Sequence, residues 1–360
     1  MEENNIVSRE SKIFVSSSSL KISSIRHLKI ENTIIEDTFA EGFGMRYTRL
    51  ILTAATRRWL DAGVREFSGY GSSVIQCDAE VGLENYLTPE QTYDGRIGAS
   101  ILAFGFSTDA LAKAVAKRAG QCLMTCATSA VFDGYTQARY AEEEKAAQTK
   151  AAQTNADQTN PAPTPTQSQK RIPLGSHLRF FGDGYQKSKL LRGRRFWRVP
   201  VMDGEFFCED SIGVGKGVAG GNFLIQSVDQ MTGLSAAEKA VDAIAELAGV
   251  MTPFPGGVVR SGSKVGSKYK AMVASTSHQF CPTLRGRVDS LVHPDAQCVY
   301  EIVIDGVDFA HVAEAIRIGI HAAVGEGIVS IGAGNYGGKL GKHHFKLHQV
   351  LDAANEEEAN

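Results

Sequence analysis

The stretch Cys298-Val-Tyr-Glu-Ile-Val-Ile304, followed by a helical stretch over 308–324 and by Gly327-Ile-Val-Ser-Ile331, decides the fold. Its first part alternates as a strand does, with Val299, Glu301 and Val303 on one face and Tyr300, Ile302 and Ile304 on the other. In the helical stretch Phe309, Val312, Ile316, Ile320 and Ala323 form one stripe, and Gly327–Ile331 returns as a second strand. The same rhythm starts at Asn222–Val228, which leads to a helix where Ser235 and Glu238 have the spacing of a capping box and Val241, Ile244 and Leu247 face inward. It occurs twice more upstream. Arg49-Leu-Ile-Leu-Thr53 precedes a helix with Leu60, Val64 and Phe67 on one face and a strand at Ser72–Cys77. Ile97–Phe106 precedes a helix begun by Ser107, with Leu111 and Val115 inward, and a strand at Gln121–Cys126. Two βαβ-like units per half predict an α+β fold of two ferredoxin-like (split βαβ) lobes from an internal duplication. A doubly wound sheet meets the same pattern and stays open at this point.

Between the halves, residues 141–170 contain no Val, Ile, Leu, Met, Phe, Trp or Tyr. Such a segment cannot offset the entropy of ordering, so it reads as a disordered linker or insertion. The expected organisation is therefore a flexible extension over 1–29, an N-terminal lobe over 30–140, the insertion, a C-terminal lobe over 171–352 and an acidic tail over 353–360. The 360 residues carry 38 Lys+Arg against 40 Asp+Glu, a net charge of −2. A balanced chain sets up no overall field for nucleic acid or an anionic membrane, and neither partner is expected. No apolar run before Leu20 is long enough for a signal or a membrane span. The six cysteines are scattered, and Cys122 and Cys126 lack zinc-knuckle or redox spacing, so they read as small core residues of a cytoplasmic protein.

Three glycine-rich segments stand out: Gly217–Asn222, Gly256–Lys268 and Gly332–Lys342. They read either as turns or as loops whose N–H groups, hydroxyls and lysines approach an anionic ligand. Gly332-Ala-Gly334-Asn-Tyr-Gly337 follows a strand as a dinucleotide fingerprint does. No helix and acid-bearing strand can follow it, which argues against such a cofactor. Gly257–Lys264 transposes the Ser and Lys of a phosphate loop. His343, His344 and His348 alternate with Phe345 and Leu347 as a strand with a polar face, with no acid or cysteine to complete a metal site.

Glu301 is the most informative single residue, because it shares a strand face with two valines. If that face is buried, desolvation raises its pKa toward neutrality and suits it to general acid–base work. If the face is at the surface, Glu301 pairs with a lysine.

The chain resembles the formylmethanofuran–tetrahydromethanopterin formyltransferases over roughly residues 31–352. The resemblance rests on Ile35–Glu41, Phe180–Gln186, Gly217–Phe223, Pro253–Gly257, Ser261–Lys268, Cys298–Ile304 and Ala333–Gly341. It implies an enzyme without prosthetic group or metal that moves a formyl group between a methanofuran-type carrier and tetrahydromethanopterin, with Glu301 as the catalytic carboxylate. It also implies two ferredoxin-like lobes and either a homotetramer or a place in a formyltransferase/hydrolase complex. The near-neutral charge favours a bacterial-type member, and the competing reading is a non-catalytic subunit that binds carriers. The expected substrate-binding residues are Gly220, Gly221, Asn222, Ser261, Ser263, Lys264, Ser267, Lys268, Gly334, Asn335 and Lys339, with Lys342 a further cation for the carriers' anionic parts.

Overall fold

The computed structural model describes residues 28–135, 170–191 and 193–357; the expected extension up to residue 27 and the insertion up to residue 169 lie outside the described residues. Among the described residues, fourteen strands form one mixed sheet. No described helix is long and apolar enough to cross a membrane.

The chain opens with β1 (Leu28–Ile30), β2 (Thr33–Ile35) and the long β3 (Phe39–Thr53). A first half continues with α1 (Arg57–Ser68), β4 (Glu80–Leu87), β5 (Gly98–Gly105), α2 (Thr108–Arg118) and β6 (Ala130–Asp133). Its strands lie in the order β6-β3-β5-β4. Beyond the insertion come β7 (Arg171–Ile172), α3 (Leu174–Leu178), β8 (Lys187–Leu191), β9 (Arg194–Val201), β10 (Gly204–Glu209) and β11 (Ile212–Gly213). β10 pairs with β6 and carries the sheet outward through β9 to β8.

The second half consists of β12 (Gly215–Ser227), α4 (Gln230–Ala245), β13 (Val250–Met251), β14 (Ser263–Val265), β15 (Ala274–Thr276), β16 (Cys298–Gly306), α5 (Phe309–Ala323) and β17 (Ile328–Gly332). β18 (His343–Lys346) and α6 (Leu347–Glu357) close the chain. The order β17-β12-β16-β13 repeats that of the first half, with the strand before the first helix beside the last strand and the third strand beside the second. One strand joins the halves, because β3 pairs with β18 and β12 through its first residues and with β5 and β6 through its last.

α4 and α5 cover one face of β12 and β16, where Phe223, Ile225, Ile302, Ile304, Val312, Ile316 and Ile320 form a shared core. Each such side chain contributes about 1.5–3 kcal/mol on burial. Asp308 starts α5 by accepting a hydrogen bond from the His311 N–H at 3.0 Å, which satisfies a donor that the helix itself leaves free. Because the helices occupy this face, the other face of β16 is available for a site.

Several expectations are corrected. Ser72–Cys77 is a turn, its N–H groups at Gln76 and Cys77 bonded back to Ser73, and the strand is β4. Two adjacent apolar residues, Val74 and Ile75, are too few to hold a strand against that local bonding. Gln121–Cys126 continues the turns of α2, with Met124 N–H bonded to Ala119 O. α4 begins at Gln230, capped by Asp229 on the Thr232 N–H at 2.9 Å, so Ser235 and Glu238 lie inside the helix. The helical spacing of the stretch was right, but the cap lies one and a half turns earlier. The strand at 343 stops at Lys346, and His348 belongs to α6.

The cores do not divide at the insertion. Ile172, Leu174, Leu178, Val199, Phe206 and Val214 pack in the same core as Leu50, Leu60, Leu111 and Val131, while Ile35 and Ala40 pack with the second half. Core membership depends on tertiary partners and not on where the composition of the chain changes.

Candidate active site

Glu301 sits at the middle of β16 and is held on both edges. It lies opposite Leu224 of β12 and exchanges backbone bonds with Val259, at 2.8 Å from the Val259 N–H and 3.0 Å to the Val259 carbonyl. Strand alternation that buries Tyr300 and Ile302 under the helices points Val299 and Glu301 the other way. There they line a cleft of about 690 Å³ whose walls come from β12, the connection between β13 and β16, the loop 333–337, and Glu36 and Thr38.

The Glu301 carboxyl has no hydrogen-bond partner among the described residues. A Cβ on Gly262 would stand 3.0 Å from its Oε2, so glycine lets the loop close over the carboxyl. Desolvation with no cation alongside disfavours the charged form and pushes the Glu301 pKa up to about 7. The alternative of a surface strand paired with lysine is thus set aside.

The expected binding residues separate into two sets. Asn222, Ser263, Lys264, Gly334 and Asn335 line the cleft. Asn222 acts as a clamp: its Oδ1 accepts from the Gly334 N–H at 2.7 Å and its Nδ2 donates to Gly334 O and Gly220 O. Gly220, Gly221, Ser261, Ser267, Lys268, Lys339 and Lys342 are not part of the cleft wall. Gly220, at φ +83°, makes a bulge in β12 and donates its N–H to Asp305 Oδ1 at 2.9 Å. A Cβ on Gly221 would lie 2.3 Å from Val312 of α5, so that glycine serves helix packing. Ser267 accepts from the Tyr269 N–H, and Ser261, Lys268, Lys339 and Lys342 are exposed.

The loop 336–341 does cradle an anion, but one from this chain. The Glu41 carboxylate accepts the N–H groups of Tyr336, Gly338, Leu340 and Gly341 at 2.7, 3.0, 2.6 and 2.5 Å. Burial would raise its pKa, yet the four donors outweigh burial and hold it below the usual carboxylate range.

Sequence reading missed Glu36, Gln226, His293 and Tyr336. Glu36 Oε1 accepts from Gln226 Nε2 at 2.9 Å and from the Ser330 hydroxyl at 3.0 Å, and Gln226 Oε1 accepts from the His293 N–H at 2.7 Å. Burial raises the Glu36 pKa, with Ser330 and the nearby His293 pulling it partly back. Gln226 carried the same signal as Glu301, a polar residue inside an apolar strand. Tyr336 carried none, since its place over the cleft depends on how the loop folds around Glu41. Among the described residues no group of three or more His, Cys, Asp or Glu could hold a metal ion. His344 and His348 instead bond the carbonyls of Gly341 and Ile35.

A mixed-sheet protein in which a carboxyl with no partner among the described residues, its pKa raised to about 7 by burial, lies at the floor of a large cleft has the features of an enzyme that moves protons. Residues 28–160 and 159–201 match the family model described as formylmethanofuran-tetrahydromethanopterin formyltransferase, and residues 204–350 match its companion described as the proximal lobe. The chain belongs to this family. It is 46% identical over 339 residues to the formyltransferase of Rhodopirellula baltica, covering 91% of this chain and 94% of that one. It is 48% identical over 326 residues to that of Methylobacillus flagellatus, covering 89% and 99%. The solved structure of the formyltransferase from Methanosarcina barkeri superposes with a TM-score of 0.77 at 41% identity, covering 90% of this chain and all of that one. A chain of the formyltransferase/hydrolase complex of Methylorubrum extorquens, solved with methylofuran, gives a TM-score of 0.78 at 41% identity, covering 90% and 99%.

Proposed function

We propose that this protein is an acyltransferase that moves a formyl group between a methanofuran-type carrier and tetrahydromethanopterin, on the route by which formaldehyde is oxidised to formate. The observation that carries the reading is Glu301, without a hydrogen-bond partner among the described residues, facing a cleft of about 690 Å³ and divided between its neutral and charged forms near neutral pH. Transfer between two amines requires the attacking nitrogen to lose a proton and the departing nitrogen to gain one. A single carboxyl with a pKa of about 7 serves both steps. Written this way, the reaction calls on no resident metal or prosthetic group. Asn222 and Asn335 shape the wall beside Glu301, and Ser263, Lys264 and Arg260 offer donors to polar and anionic parts of the carriers.

The repeated strand order supports reading the halves as two ferredoxin-like lobes from an internal duplication. We further place the protein in the cytoplasm, as a homotetramer or as the formyltransferase subunit of a complex with a hydrolase. The resemblance to the Methylorubrum extorquens chain supports the second assembly.

The test is a spectrophotometric assay of the purified protein with formylated methanofuran-type carrier and tetrahydromethanopterin, following the formylated pterin. Turnover is the expected result. Binding of both carriers without turnover would favour a non-catalytic carrier-binding subunit, and neither binding nor turnover would overturn the reading.

A further inference from the structure

Resting on the formyl-transfer reading above, we infer that Asp305 is a positioning residue for the reaction. By holding the Gly220 N–H it fixes the bulge in β12 that turns Asn222 toward the cleft, and through Asn222 it sets the loop 333–337 beside Glu301. Asp305 is buried and forms no part of the cleft wall itself, so its influence runs through the backbone.

Between Val218 and Gly221, β12 carries one residue more than β16 does between Gly306 and Ile304. Ahead of that point Val218 packs in the core under α4 and α5, whereas Ala219 faces the opposite core with Tyr47 and Phe104. Beyond it the alternation is reversed. Phe223 and Ile225 now lie under the helices, Asn222 and Leu224 line the cleft, and Gln226 reaches Glu36. Because strand faces alternate residue by residue, a β12 without the extra residue would carry Asn222, Leu224 and Gln226 to the helix side. The cleft floor therefore exists only while the bulge is kept.

Gly220 supplies the conformation, at φ +83°, which glycine adopts without strain. It has no partner in the β16 ladder, so its N–H must find an acceptor elsewhere. Asp305 Oδ1 accepts it at 2.9 Å, while the Gly220 carbonyl accepts from Asn222 Nδ2 at 3.2 Å. The same Asn222 amide then holds both polar groups of Gly334, at 2.7 Å from its N–H and 3.1 Å to its carbonyl. Asn335 and Tyr336 follow at once and form cleft wall. Asn222 lies opposite Val303, which separates Asp305 from Glu301 along β16. One strand thus carries the proton-handling carboxyl and, four residues on, the carboxyl that holds its surroundings in place.

The experiment compares the full-length protein with Asp305→Ala and Asp305→Asn, by formyl transfer and by amide hydrogen exchange of peptides covering 332–338 and α5. Asp305→Ala removes the acceptor for Gly220. Its kcat/KM should fall about 10- to 100-fold, the scale of effect when active-site groups are displaced by up to an ångström, and the 332–338 peptide should exchange faster while α5 stays protected. Asp305→Asn keeps an acceptor oxygen and should restore both the rate and the protection. Adding Asn222→Ala to Asp305→Ala should lower the rate no further than Asn222→Ala alone, since both act through one clamp. If Asp305→Ala does not fold, Gly220→Ala strains the bulge with Asp305 in place, its Cβ 3.2 Å from the Phe43 ring, and should give the same two losses. Parent-like rate and exchange in the alanine variants, equal losses in Asp305→Asn, or exchange that rises in α5 as much as in the loop would overturn the assignment. Exchange is measured without carriers, so it tests this inference separately, whereas silence of the unaltered protein in the assay would sink the formyl-transfer reading.

Discussion

The two halves share one strand order, yet they use buried carboxylates in opposite ways. In the first half Glu84, set at an irregularity in β4, is saturated. Arg49 binds both of its oxygens at 2.7 and 2.6 Å, the Ser100 hydroxyl donates at 2.5 Å and the Gly249 N–H at 2.6 Å. Burial alone would raise its pKa, but Arg49 and the other donors prevail and hold it low. In the second half Glu301 has no donor and no paired cation among the described residues, and burial pushes its pKa up. The difference lies in the connection between the second and third strands. In the first half it spans 88–97 and leaves β5 buried along its whole length. In the second half it spans 252–297 and supplies much of the cleft's wall. With one strand order in both halves, the site lies in the half whose longer loop leaves a carboxyl unpaired beneath it.

The sharpest way to break this contrast is Glu301→Gln, which keeps size and removes the titrating proton. Formyl transfer should drop at least ~100-fold, as for loss of a general acid or base. The native pKa of about 7 lies above the ordinary 4.5, so the native state holds the proton more tightly than the unfolded chain. Stability from this group is full below pH 4.5 and is lost as pH rises through 7, a change of about 3 kcal/mol. The glutamine variant escapes that loss. Urea denaturation from pH 4 to 8 should show the variant gaining on the parent as pH rises, and a parallel pair of curves would contradict the raised pKa.

Glu84→Gln probes the opposite case. It leaves the Arg49 guanidinium buried against an amide and should cost about 3 kcal/mol or more in denaturation free energy. Since Glu84 lies outside the cleft, whatever folds should retain kcat. Here the parent loses stability as pH falls below the ordinary carboxylate range, the reverse of the Glu301 trend.

Gly262→Ala has a smaller expected effect. The new methyl would stand 3.0 Å from Glu301 Oε2, tighter than ordinary contact, so the loop or the carboxyl must give. Transfer should fall about tenfold, the cost of displacing a positioned catalytic group by a fraction of an ångström, with the denaturation midpoint little changed.

Much of this arrangement was legible in the chain, and the unread part has a common cause. The α5 stripe and the Val299/Glu301/Val303 face were readable because period alone determines which side a residue takes. The short strands were not: β6 is four residues and β13 two, and such strands exist because a neighbouring strand receives them. The glycine segment 332–342 read either as turns or as loops that approach an anionic ligand; that it holds the chain's own Glu41 carboxylate was not readable, because Glu41 lies some three hundred residues away in sequence. Tyr336 was invisible for the same reason. Spacing reports on local geometry, whereas the cleft is assembled from partners distant along the chain.

The seam between the halves carries the finest version of the comparison. Glu80, four residues before Glu84 on β4, meets Asp305, four residues beyond Glu301 on β16. Glu80 Oε2 and Asp305 Oδ2 are both buried with no donor among the described residues, and each group bears on the other's pKa, an arrangement that a proton shared between them satisfies. Their remaining oxygens are placed on backbone donors, Glu80 on the Val74 N–H at 3.1 Å and Asp305 on the Gly220 N–H. Desolvation and the like charge of Glu80 raise the Asp305 pKa well above its ordinary value. Asp305→Asn keeps the acceptor for Gly220 and offers an amide N–H to Glu80, so the bond survives without the shared proton. Its denaturation free energy should stay within about 1 kcal/mol of the parent at pH 5, as when a hydrogen bond is exchanged for an equivalent one. Between pH 5 and 8 the parent must give up its shared proton or remain destabilised by holding it, while the variant faces neither, so the difference should move steadily in the variant's favour. A difference that moves the other way would mean the pair is already ionised and is held by something other than a proton.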